Sequence, residues 1–182
     1  MKFIKTDLKD AYLIELEMRG DDRGFFARSM CRDEFSEVGL DSNFVQQNTS
    51  FSAQRGTLRG MHFQRAPFGE DKLVRCISGA IVDVIVDIRK DSPTYLKHQM
   101  FELTSRNRLQ LYVPKGFAHS FMTLEDNVEV SYLVTAPYTP ASEDGLRYSD
   151  EELGIDWPLP VTVISEKDDS WPLLKDRQEA LY

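Results

Sequence analysis

Short runs in which apolar and polar residues alternate fill most of this chain. Tyr12 to Met18 interleaves Tyr12, Ile14, Leu16 and Met18 with Leu13, Glu15 and Glu17, the period of two that marks a strand. Asn43 to Phe51 and Thr57 to Gln64 follow, divided by Gln54-Arg55-Gly56, which reads as a turn. Lys72 to Ser78 runs to Gly79, and Ala80 to Arg89 continues beyond it. In that second run Val82, Val84, Val86 and Ile88 share one face, and Ile81, Asp83, Ile85, Asp87 and Arg89 the other. Lys97 to Leu103, Arg108 to Val113, Ala118 to Leu124 and Val128 to Thr135 complete the set. Many short strands separated by turns predict a sandwich or barrel rather than βαβ units. Helical signals are few. Arg32 to Val38 is closed by Gly39 and carries Asp33 and Glu34 in its first turn, where the helix dipole favours negative charge. From Asp150 onward, Trp157-Pro158-Leu159-Pro160 and Trp171-Pro172 predict loops and short helices packed on the barrel.

The chain has 182 residues, which suits one domain spanning 1–182 and is long enough to bury a sizeable core. A hydrophobic content of 41% fits a folded globule rather than a disordered chain. The net charge of −8 disfavours general nucleic-acid binding, because an acidic surface repels phosphate backbones. A local cluster of Arg and Lys can still hold a small anion. Cys31 and Cys76 form no metal or redox motif and read as inert thiols of a cytoplasmic protein. The N-terminus lacks the apolar run of a signal peptide, and no stretch approaches the roughly 20 apolar residues of a membrane span. The expectation is therefore a cytoplasmic protein with no membrane partner.

Three histidines narrow the search for chemistry. His62 lies in Leu58-Arg59-Gly60-Met61-His62-Phe63-Gln64, where alternation sets Leu58, Gly60, His62 and Gln64 on one face and Gly60 leaves space for a ligand. His119 follows a Pro114-Lys115-Gly116 turn, an arrangement that resembles the second cupin motif. His98, in Lys97-His98-Gln99, reads as an exposed structural residue. Metal cupins use a His-x-His pair with a carboxylate. Here His62-Phe63-Gln64 breaks the pair, and Lys72 nearby opposes a bound cation, so no metal is expected. An unmetallated imidazole, with a reference pKa of about 6.5, is suited to moving protons near neutrality. Tyr132 shares the face of Val128, Val130 and Val134, which points its hydroxyl inward, where it needs a partner. Lys72 shares a face with Val74 and Cys76; it either meets an anion inside or reaches solvent at the strand end. Arg23, Arg59 and Lys72 together suit a diphosphate. Strict alternation puts Arg59 opposite His62, so either the strand bulges there or Arg59 serves a site in a partner subunit.

These residues resemble a known family. Arg23-Gly24-Phe25-Phe26, Leu58 to Gln64, Lys72-Leu73-Val74-Arg75, Asp83 to Arg89, Ser92-Pro93-Thr94 and Pro114 to His119 look like dTDP-4-dehydrorhamnose 3,5-epimerase. So do Tyr132, Gly154-Ile155-Asp156-Trp157-Pro158 and Ser165-Glu166-Lys167-Asp168. The match spans nearly the whole chain in order. The resemblance implies a mainly β cupin, a double-stranded β-helix (jelly-roll) barrel with short peripheral helices, forming a homodimer with a swapped N-terminal strand and using no cofactor. It implies a nucleotide-linked 4-keto-6-deoxy sugar as substrate, inverted at carbon 3, carbon 5 or both. It also implies His62 as base with Asp168 as its partner, Tyr132 as acid on the opposite sugar face and Lys72 steadying the enolate oxygen. Arg23, Gln46, Asn48, Arg59, His119, Glu143 and Lys167 are implied to bind the nucleotide sugar, with Phe26 and Tyr138 flanking the base.

Some positions depart from the family pattern. Arg28 stands where a Glu is usual, reversing a charge near the expected nucleotide pocket and leaving room for a nucleotide other than dTDP. Ser120 and Pro137-Tyr138 replace the usual Gly and Tyr-Tyr, changes that could mark an enzyme inverting one carbon only. The competing readings are a cupin 3,4-ketoisomerase, a metal-dependent oxygenase and a non-enzymatic saccharide-binding cupin.

Overall fold

Antiparallel pairing of the alternating runs builds two facing sheets. The computed structural model describes every residue from Met1 to Tyr182. One sheet holds, in spatial order, β1 (Lys2–Lys5), β2 (Tyr12–Glu15), β10 (Gln110–Val113), β7 (Lys72–Ser78), β12 (Val128–Val134) and β5 (Gln46–Ser52). The other holds β13 (Glu143–Gly145), β6 (Leu58–Gln64), β11 (Phe117–Thr123), β8 (Ala80–Asp87) and β9 (His98–Thr104). A separate hairpin pairs β3 (Arg19–Asp21) with β4 (Gly24–Phe26). Two short α-helices, α1 (Arg32–Glu37) and α2 (Glu166–Asp169), and two 3₁₀ turns, Pro140–Ser142 and Leu174–Asp176, complete the elements. This is the expected mainly β, cupin-type jelly roll with peripheral helices.

Three apolar layers hold it. Between the sheets, Val74, Leu111, Val128 and Val130 meet Ile81, Ile85, Leu103 and Phe117. The outer face of the second sheet presents Met61, Phe63, Val82, Val84, Val86 and Ile88, and the tail covers it with Ile155, Trp157, Leu159, Ile164 and Leu181. β8 is therefore buried on both faces along its whole length, its inner Asp83 and Asp87 included. Of those tail residues Leu181 is buried and the others are partly buried; a fully buried aliphatic side chain contributes about 1.5–3 kcal/mol, and the partly buried ones contribute less each. On the outer face of the first sheet, Phe35 of α1 packs against Ile14, Leu73 and Tyr112.

One irregularity decides the site. In the β6–β11 pair His62 faces His119, but Arg59 faces Phe121. Three steps along β6 match two along β11, so β6 carries a bulge, which re-aims side chains. The expectation that Leu58 shares the His62 face is thereby corrected. Leu58 packs in the outer layer with Met61 and Phe63, while Arg59 turns to the cavity that His62 lines. Gly60 makes the bulge affordable only as glycine, with φ of +116° and an added Cβ 2.5 Å from the His119 carbonyl oxygen. Gly60→Ala is expected to cost about 3 kcal/mol through backbone strain and overpacking, read as a lowered midpoint in urea unfolding.

Candidate active site

The tail delivers a carboxylate to the barrel. Ser165 caps α2 by accepting a hydrogen bond from the Asp168 backbone N–H, which turns the Asp168 side chain toward β6. Asp168 Oδ1 lies 2.6 Å from His62 Nε2, and Oδ2 accepts the Gly60 N–H at 3.0 Å. Burial pushes the Asp168 carboxyl up, but the hydrogen bond and charge of His62 and the Gly60 N–H outweigh it and hold it below the usual carboxylate range. The unfolded chain thus binds this proton more readily than the fold does. The resulting stabilisation is present above about pH 4 and is lost as pH falls through the folded value. The denaturation midpoint should therefore drop on acidification below that point, and Asp168→Asn should show a shallower drop.

His62 also lines a cavity of about 240 Å³ shared with Tyr132, Lys72, Gln46, Asn48, Tyr138 and Glu143. An adjoining space of about 150 Å³ brings in Arg59, His119 and Asp168 beside the same His62, Lys72 and Tyr132. Tyr132 reaches inward from β12 as its alternation predicts, packing against the inter-sheet core. Lys72 is buried with Val74 and Cys76, and its ammonium lies 3.0 Å from Glu70. The inward reading of Lys72 is thus the one the fold adopts. His119 Nε2 sits 2.9 Å from Asp83, which is fully buried. Arg59 donates to Ser52 Oγ and the Phe51 carbonyl.

At the rim, Glu143 accepts hydrogen bonds from Lys167 at 2.7 Å and the Tyr138 hydroxyl at 2.8 Å. Burial pushes Glu143 up, yet these two donors hold it below its ordinary range. Gln46 donates to Asn48 at 2.9 Å, aligning two neighbouring amides along β5.

Two of the residues named from sequence are not brought here. Arg23 and Phe26 ride on the β3–β4 hairpin, whose residues are all exposed. Arg23 pairs only with Asp21, and Phe26 is 70% exposed beside Met1 and Arg19. Arg28 lies near them, and its guanidinium is engaged by Glu34 at 2.7 Å, which offsets the charge reversal noted there. His98 is half-buried on β9 rather than exposed, away from both cavities.

No group of three or more His, Cys, Asp or Glu side chains is placed to hold a metal ion. Each of the two cavity imidazoles has a carboxylate after all, from distant Asp168 and Asp83, but each carboxylate hydrogen-bonds a ring nitrogen rather than converging with the other on one point. Two neighbours escaped sequence reasoning. Glu70 could have been found from its i, i+2 spacing to Lys72. Trp171 packs edge-on to His62 with ring centroids 6.4 Å apart, seated where Gly145 leaves no Cβ to block it; nothing in the local sequence signals that contact.

A jelly-roll cavity furnished with a carboxylate-backed imidazole, a phenol and an ammonium brings together groups suited to moving protons, as an isomerase requires. Comparisons with known proteins give the family. The family model described as dTDP-4-dehydrorhamnose 3,5-epimerase matches residues 5–176. The curated dTDP-4-dehydrorhamnose 3,5-epimerase of Sinorhizobium fredii is 47% identical over 175 residues, covering 96% of this chain and 90% of the relative. Among solved structures, the Bacillus anthracis epimerase with TDP and PPi bound is 45% identical with a TM-score of 0.92, covering 95% of this chain and 99% of that one. The Legionella pneumophila epimerase in complex with dTDP-4-keto-L-rhamnose is 40% identical with a TM-score of 0.89, covering 96% and 93%. The chain belongs to the dTDP-4-dehydrorhamnose 3,5-epimerase family. No helix is long and apolar enough to cross a membrane.

Proposed function

We propose that this protein epimerises dTDP-4-keto-6-deoxyglucose at carbons 3 and 5. The observation that carries the reading is the short His62–Asp168 contact beside a cavity that Tyr132 also lines. A proton next to a ketone is acidic because its loss gives an enolate. In this reading Asp168 holds the Nε2 proton, and the free Nδ1 of His62 takes the substrate proton from one face. Lys72 sits by the C4 oxygen, where negative charge develops, and a fixed cation there lowers the barrier. Tyr132 gives a proton to the opposite face, and the centre inverts. Arg59 and His119 take the diphosphate side, Gln46, Asn48, Glu143 and Lys167 the rest of the nucleotide sugar, and Tyr138 one side of the base.

Arg23 and Phe26 enter through a second copy. The exposed β3–β4 hairpin carries both away from its own cavity, as expected of an arm exchanged between the subunits of a homodimer. Mixing His62→Ala with Arg23→Ala protein, each inactive or weak alone, should then restore turnover, because one site of the hybrid has an intact His62 and an intact Arg23 from different chains. A mixture no more active than its components removes the exchanged arm.

The substrate assignment is tested by offering the purified protein 4-keto-6-deoxy sugars linked to dTDP, UDP or GDP and following product by NMR. Conversion of the dTDP sugar to dTDP-4-keto-L-rhamnose, with the others slower, is expected. Inversion of one carbon alone, or preference for another nucleotide, overturns that part of the assignment. The localisation that fits a substrate of this kind is the cytoplasm.

A further inference from the structure

Lys72 is asked to meet a developing oxyanion, yet its ammonium is already 3.0 Å from a carboxylate, Glu70, and the two side chains are only 10% and 12% exposed. The other charged or titratable groups around the two cavities are committed elsewhere. Asp168 is held by His62 and the Gly60 N–H, and Glu143 by Lys167 and Tyr138. His119 is paired with Asp83, and Arg59 with Ser52 and Phe51. Tyr132 alone among them has no such partner, and as a neutral phenol it does not balance a cation. Glu70 is thus the one anion within ion-pair distance of Lys72, and it lines the cavity itself. Its other oxygen receives Gln64 Nε2 at 3.4 Å, and Gln64 in turn is tied to the Phe68 and Pro137 carbonyls and the Thr139 N–H. The carboxylate is therefore held on the side away from the lysine by one long contact.

We propose that Glu70 is a positioning residue for the epimerisation: it is the counter-ion that holds the Lys72 ammonium at the cavity wall and yields it to the substrate oxygen as the enolate forms. This rests on the reading of Lys72 given above. A buried ammonium without an anion is costly. With Glu70 in place the ammonium has a partner before substrate arrives; as the substrate oxygen becomes negative, the ammonium exchanges one anion for another instead of being desolvated anew.

The test compares kcat on the dTDP sugar for wild type, Glu70→Gln, Glu70→Asp, Lys72→Met and the Glu70→Gln/Lys72→Met double variant, with the unfolding midpoint of each protein alongside. Glu70→Gln should lower kcat about 10–100-fold, short of the roughly 10²–10³-fold cost of losing an oxyanion donor outright. Glu70→Asp, which keeps the charge, should recover most of that loss and serves as the folded control if the amide variant is unstable. In the Lys72→Met background Glu70→Gln should cost nothing further, because a residue that acts through Lys72 has nothing left to act on. Wild-type kcat in Glu70→Gln, or an equal loss in both backgrounds, overturns the counter-ion role. Wild-type kcat in Lys72→Met overturns the role assigned to Lys72 rather than the ion pair.

Discussion

His62→Ala should lose about 10²–10⁴-fold or more in kcat, the usual contribution of a positioned acid–base group, while the barrel stays folded. The ring is about one-third exposed and makes one side-chain hydrogen bond, to Asp168. Removing it leaves Asp168 with the Gly60 N–H as its remaining partner. A half-satisfied buried carboxylate costs about 1–3 kcal/mol, enough to lower the unfolding midpoint without abolishing the fold. Kinetics and denaturation on one preparation separate the two effects. A variant that keeps wild-type turnover removes His62 from the role of base.

Tyr132→Phe should separate two events that normally coincide. His62 can still take the substrate proton and return one from solvent to the same face, so exchange with heavy water continues. Delivery to the opposite face is lost, and inversion should fall about 10²–10⁴-fold, the scale of one acid–base group. Substrate recovered with deuterium but unchanged configuration is the expected signature. Equal loss of exchange and inversion would instead place the hydroxyl in enolate formation, and wild-type rates of both would leave Tyr132 a packing residue of the inter-sheet core, where its ring already sits.

What the chain discloses before folding follows from which interactions are local. Alternation located Lys72–Ser78, which matches β7 end to end, and the other principal strands to within a few residues. The run Ala80 to Arg89 was placed with its two faces, and the fold buries both, the tail covering the outer one. Short elements were missed: β1, the β3–β4 hairpin and β13 have three or four residues each, too few to display a period. The run from Tyr12 ends at Glu15 rather than Met18, because the hairpin begins at Arg19 and draws the chain away from the sheet.

The site divides the same way. His62, Lys72 and Tyr132 announce their inward direction through the strands that carry them. The side on which Arg59 falls depends on a bulge, and a bulge is a property of the pair β6–β11, not of β6 alone. The carboxylates beside His62 and His119 come from positions 168 and 83, so only tertiary folding, or resemblance in the case of Asp168, reveals them. Trp171 belongs to the same group: its contact with His62 exists because a tail segment crosses Gly145.

The central claim is that His62 and Tyr132 exchange protons with the carbons flanking a ketone from opposite sides of one cavity. Running the wild-type reaction in heavy water with dTDP-4-keto-6-deoxyglucose and reading the product by position-resolved NMR tests it directly. Deuterium at both carbon 3 and carbon 5 of the inverted sugar is the predicted result. Inverted product that retains its original hydrogens, or a substrate that neither exchanges nor converts, would contradict it.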